Sequence, residues 1–79
     1  MKIEVLGTGC EKCKKTYANA RQAVEALGVE ADLVKVEKIE DIVERGVMMT
    51  PALTVDGEVK VAGRVPSADE IKGWLASKA

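Results

Sequence analysis

Residues 3 to 6, Ile3-Glu4-Val5-Leu6, form a short apolar run with one charge that stops at Gly7. Apolar side chains at both odd and even positions predict a strand covered on both faces, and therefore a central one. Beyond Gly7 the period changes. Cys13, Tyr17, Ala20, Val24 and Leu27 recur at steps of four, three, four and three, with Ala23 beside them. That is one face of a helix, closed by Gly28. Residues 31 to 36 return to strand character, with Val34 and Val36 on one face and Asp32 the more polar position. A strand, a helix and a strand of these lengths predict a βαβ unit with its strands parallel.

In the second half, Ile39, Ile42, Val43 and Val47 mark a shorter helix that turns Glu40, Asp41 and Glu44 outward and ends near Gly46. Residues 52 to 55 read as a strand, Asp56-Gly57 as a two-residue hairpin turn of the type that needs positive φ, and residues 58 to 61 as its antiparallel partner. Charged and apolar side chains alternate in Glu58-Val59-Lys60-Val61, which predicts one wet face and an edge position. Ser67 and Glu70 match a capping box behind Pro66, and the helix it opens packs Ile71, Trp74 and Leu75. The predicted order is β-α-β-α-β-β-α, an α/β fold in a single domain spanning residues 1–79.

A chain of 79 residues buries only about 60% of its unfolded surface, so its core is small. The 12 basic and 13 acidic side chains leave a formal charge of -1. They form no clustered basic surface of the kind that nucleic acid or an anionic membrane selects. No stretch has the pattern of a signal peptide or the length of a transmembrane helix. The expectation is a soluble, cytoplasmic monomer with no nucleic-acid or membrane partner. Tyr17 and Trp74 lie on the apolar stripes of their helices and read as core.

Candidate chemistry is concentrated in Gly7-Thr8-Gly9-Cys10-Glu11-Lys12-Cys13, which holds both cysteines of the chain. A disulfide across two intervening residues is a poor staple, because the stabilisation grows with loop length and is about 3 kcal/mol even for roughly fifteen residues. What remains is thiol-disulfide exchange or binding of a soft metal. Thr8 and Glu11 match a capping box, which would make Thr8 the N-cap and place Cys10 in the first turn. The helix dipole and free backbone N–H groups there would lower the Cys10 pKa from about 8.5. Lys12, Lys14 and Lys15 would assist, and Cys13 would be the more buried sulfur. With no histidine in the chain, the pair offers two of the four ligands that a closed zinc site wants, unless two chains share an ion.

Four features in order resemble the thioredoxin superfamily, specifically its small glutaredoxin-sized members from archaea and bacteria. They are the strand followed by Gly-Thr-Gly-Cys10-Glu-Lys-Cys13, the segment Val47-Met48-Met49-Thr50-Pro51-Ala52-Leu53, the Asp56-Gly57 hairpin, and Gly63 before the last helix. The resemblance implies a four-stranded mixed sheet with the first strand central, the first and last helices on one face and the second on the other. It also implies a cis bond before Pro51, a Thr50 backbone that pairs with an extended substrate, and Gly63 lining the same groove.

The activity so implied is reduction of protein disulfides by Cys10 and Cys13, without bound cofactor or metal, with an upstream reductase restoring the dithiol. A metal or metalloid carrier and a glutathione-dependent glutaredoxin are the alternatives. Departures from familiar thioredoxins are the absence of Trp before Cys10 and the intervening pair Glu11-Lys12 where those proteins have Gly-Pro. Glu4 falls where thioredoxins keep a buried acid. It would be either a base of raised pKa for Cys13 or a solvated or lysine-paired carboxylate. Met48 and Met49 read either as a soft contact surface or as filling.

Overall fold

The structure is a computed structural model and describes residues 1–77. Its elements are β1 (Lys2–Leu6), α1 (Glu11–Leu27), β2 (Asp32–Val36), α2 (Ile39–Glu44), β3 (Ala52–Val55), β4 (Glu58–Ala62) and α3 (Ala68–Ala76). The sheet runs β2-β1-β3-β4, with β1 parallel to β2 and antiparallel to β3, and β3 antiparallel to β4. Period-two alternation sorts the side chains of β1. Ile3 and Val5 join Leu53, Val55 and Val61 in a cluster closed by Ala20 and Ala23 of α1 and Ile71 and Leu75 of α3. Leu6 faces the other way, with Val36, Ala52, Ile42 and Val47. Two helices thus cover one face and α2 the other, as the resemblance implies.

Three details depart from the periodic reading. The buried positions of α1 are Cys13, Thr16, Ala20 and Ala23, while Tyr17 and Val24 are half-buried flanks and Leu27 is exposed. Small side chains at the contact let the helix lie close on the sheet, and the Thr16 hydroxyl is satisfied by donating to the Lys12 carbonyl at 2.9 Å. In β4 the alternation is broken. Leu53 faces Val61 but Thr54 faces Val59, so one residue of β4 is extra, and Val59 turns to the face opposite Val61 and is exposed. Lastly, six-residue α2 reaches only the carboxyl-terminal end of its face. Val34 is therefore exposed on β2 although it shares that face with buried Val36.

The turns follow their sequences. Asp56 and Gly57 both take positive φ, 51° and 84°, as the tight hairpin requires. Ser67 and Glu70 close both arms of their capping box, and Arg64 forks onto Glu70 at 3.0 and 2.7 Å. The Arg64 hydrogen bonds, then the Ser67 amide, hold the Glu70 pKa down at about 2 from its ordinary 4.5. A depressed carboxyl stabilises the fold above the unfolded pKa, and that contribution is lost as pH falls from about 4.5 toward about 2. Glu70→Gln is expected to remove this part of the acid-induced fall in Tm, which thermal denaturation across that range measures.

Ile71 is fully buried where α3 meets the sheet. Ile71→Ala is expected to lower stability by about 2–5 kcal/mol, a large share of the roughly 5–10 kcal/mol that a domain this small possesses. Urea unfolding checks it: the midpoint falls while the slope is kept.

Candidate active site

The two cysteines meet α1 differently from the capping-box reading. The N-cap is Cys10, with extended backbone at φ -71° and ψ 168°, and Thr8 is an exposed loop residue before it. Gly9 takes φ 91°, a left-handed turn that glycine adopts without penalty, and the helix begins only at Glu11. Cys10 Sγ therefore occupies the position that a serine or aspartate oxygen holds in an ordinary cap, and it accepts the Cys13 N–H at 3.3 Å. Both thiols are free, Cys10 exposed and Cys13 buried, with the sulfurs 2.6 Å apart.

This geometry pulls the two pKa values in opposite directions. Cys10 is lowered, first by the hydrogen bond from the Cys13 thiol, then by the Cys13 amide, against a smaller desolvation effect. The lysine side chains expected to assist are not among the principal causes. Cys13 is raised, first by burial, then by its contact with Cys10. The exposed sulfur thus ionises more readily than an ordinary thiol, and the buried one within reach of it less readily.

Residues distant in sequence complete the site. The Thr50–Pro51 peptide bond is cis, and the Pro51 carbonyl accepts the Gly63 N–H at 2.9 Å. Gly7 ends β1 against Cys13. A Cβ placed on it would stand 2.9 Å from the Cys13 Cβ, would overlap the Cys13 sulfur, and would reach the Thr50 Cβ at 4.0 Å. Gly63 has φ 87°, and a Cβ there would meet the Met49 side chain at 3.1 Å. The structure therefore joins Cys10 to Cys13, Cys13 to Thr50 through Gly7, and Pro51 to Gly63. Gly7 was legible in the sequence only as the end of a strand; a glycine three residues before the first cysteine was the available signal for its closer role.

Beside Cys13 lies a cavity of about 70 Å³ lined by Val5, Gly7, Gly9, Lys14, Lys35 and Glu37. Lys35 Nζ stands 4.5 Å from the centre of the half-buried Tyr17 ring, and Trp74 is half-buried against the same core as Tyr17. The rim before Pro51 is apolar and open. Met48 is 98% exposed and Met49 63%, so neither methionine fills the core. Among the described residues, no group of three or more His, Cys, Asp and Glu could hold a metal ion. No described helix is long and apolar enough to cross a membrane.

Glu4 is buried, but it is not a lone acid. Its carboxylate accepts Arg45 Nε at 3.0 Å on each oxygen, Arg45 Nη2 at 2.7 Å and the Thr54 hydroxyl at 3.1 Å. The Arg45 hydrogen bonds outweigh desolvation and hold its pKa below the usual carboxylate value. Of the two readings of Glu4, the base of raised pKa is excluded and the paired carboxylate is the nearer; the partner is arginine, 41 positions away, where a lysine was considered.

A family model described as "Thioredoxin domain" matches residues 1–76. The chain is 47% identical over 76 residues to a thioredoxin of Methanothermobacter thermautotrophicus, covering 96% of this chain and 99% of that one. To a thioredoxin of Methanocaldococcus jannaschii it is 44% identical over 75 residues, covering 95% and 86%.

Proposed function

The chain belongs to the thioredoxin domain family and is a thiol-disulfide oxidoreductase; from that premise we propose that its reaction is the reduction of disulfides in polypeptide substrates. The observation that carries this reading is the opposed tuning of two sulfurs 2.6 Å apart, one exposed and lowered, the other buried and raised. Cys10 thiolate attacks one sulfur of the substrate disulfide. A Cys10–substrate disulfide forms, and the other substrate sulfur leaves as a thiolate that takes a proton. Cys13 then loses its proton and attacks Cys10 Sγ, releasing the second substrate thiolate. Two electrons have passed to the substrate, and the chain holds a Cys10–Cys13 disulfide that a separate reductase must reopen.

Thr50 and Pro51 offer main chain beside the sulfurs, and Gly63 keeps that edge free of a side chain. The exposed methionines add a contact surface that adapts to many sequences. The single domain works as a monomer in the cytoplasm, where thiols are kept reduced. The test is stoichiometric. Reduced protein prepared without oxygen should open about one insulin disulfide per chain and end with Cys10 joined to Cys13. Protein inert toward insulin, holding about one tightly bound metal ion per chain, would point to a carrier instead. A preference for glutathione over a flavin-dependent reductase as electron source would favour a glutaredoxin.

A further inference from the structure

The Glu4–Arg45 pair joins three elements around the substrate edge and neither sulfur. Glu4 lies in β1, directly across the ladder from Thr54 of β3, whose hydroxyl it accepts. Arg45 is the C-cap of α2 and also donates Nη1 to the Asp41 carbonyl at 2.9 Å, so the guanidinium is held from both sides. The next residues, Gly46 to Pro51, carry Met48, Met49 and Thr50 to the site. This segment has few other holds. A helix of six residues has no stability of its own, and Ile39 and Val43 of α2 are each 64% exposed. Ile42 and Val47 are the buried apolar anchors. At the segment's far end Pro51 is fully buried and its carbonyl accepts the Gly63 N–H; at the α2 end the polar tie to the central strand is the fork of Arg45 on Glu4.

We propose that Arg45, through Glu4, is a positioning residue that fixes α2 and the segment from Gly46 to Pro51 against β1 and β3, setting how tightly a polypeptide substrate is gripped, and that Glu4 is not the proton acceptor for Cys13. The chemistry agrees on the second point. A carboxylate held below its usual pKa is a poor base for a thiol whose own pKa is raised. Among the described residues, every side-chain hydrogen bond of Glu4 goes to Arg45 or Thr54. The planar fork suits the task, since two parallel bonds fix orientation as well as distance.

The inference rests on the disulfide-reductase reading, and the experiment separates the two. Wild type, Glu4→Gln and the double replacement Glu4→Leu with Arg45→Leu are assayed with insulin and with a small aromatic disulfide. Exchanging both partners of a buried pair for apolar groups tends to preserve folding, so the double variant keeps the test usable where a single change unfolds the chain. Positioning predicts that KM for insulin rises about five- to tenfold in the double variant and less in Glu4→Gln. In both, kcat and the small-disulfide rate stay within about twofold of wild type. A fall in kcat of about tenfold or more in Glu4→Gln with KM unchanged would overturn the proposal in favour of proton transfer. Unchanged KM and kcat in a folded double variant would overturn it in favour of a purely structural pair. If wild type itself reduces neither disulfide, the underlying functional reading fails.

Discussion

Replacing Cys10 by serine is expected to reduce turnover of protein disulfides to background, a loss of about three orders of magnitude or more. The hydroxyl can still cap α1 by accepting the residue-13 N–H, so the fold should persist while the nucleophile is gone. The complementary change, Cys13→Ser, should act at the next step. Cys10 remains exposed and activated, so the first attack proceeds, but nothing releases the substrate. Incubation with insulin should then accumulate a stable covalent adduct, which mass spectrometry after digestion places on Cys10. In wild type the same adduct is transient.

Gly7→Ala is expected to separate folding from chemistry. The added methyl group would fall 2.9 Å from the Cys13 Cβ and overlap its sulfur, with the Thr50 Cβ 4.0 Å away. Overpacking of this kind lowers stability by about 1–3 kcal/mol, so the domain should still fold. Cys13 must shift to admit the methyl group, and its sulfur then leaves the position it holds 2.6 Å from Cys10. A displacement of about 1 Å in a reacting group can slow a step about a hundredfold. The resolving attack should therefore slow by up to about that factor, while alkylation of Cys10 changes little. Urea unfolding measures the first effect, and the decay of the insulin adduct in rapid-quench samples measures the second.

How far the sequence carries is visible at particular residues. Hydrophobic period located all seven elements, because each has its own signal: the run at Ile3 to Leu6, the stripe from Cys13, the Asp56-Gly57 turn, the Ser67–Glu70 box. It misplaced what depends on neighbours. The stripe of α1 turns toward Thr16, since close helix–sheet contact favours small side chains over Tyr17. Val59 is exposed because of an irregular register with β3, which alternation within β4 cannot reveal. The Thr8–Glu11 pattern lost to Cys10 as the cap because Gly9 turns the chain first. Local pattern set the cap two residues too early, at Thr8, yet the functional consequence, a lowered Cys10, came out the same.

The Glu4–Arg45 pair had no local signal. Partners 41 residues apart meet only once β1 and α2 are placed, and period-two reading of β1 says where Glu4 points but not what answers it. Resemblance offered a base of raised pKa and the residue type a solvated or lysine-paired carboxylate; the arginine decides for a paired one, with its pKa lowered. Thr50, Pro51 and Gly63 were marked by resemblance and are brought together here by one backbone hydrogen bond and the close approach around Gly7. Gly7 itself shows its role only when the sulfur beside it is placed.

The account stands on which sulfur is the thiolate. The rate of iodoacetamide alkylation against pH, followed at each cysteine in Cys13→Ser, Cys13→Ala and Cys10→Ser, tests this most directly. Cys10 should react fast with a pKa below the ordinary thiol value of about 8.5, and removing the residue-13 side chain should raise that pKa only part of the way, because the residue-13 N–H remains. Cys13 in Cys10→Ser should react slowly. A faster and more acidic Cys13, or a Cys10 that titrates at or above the ordinary value, would contradict the account.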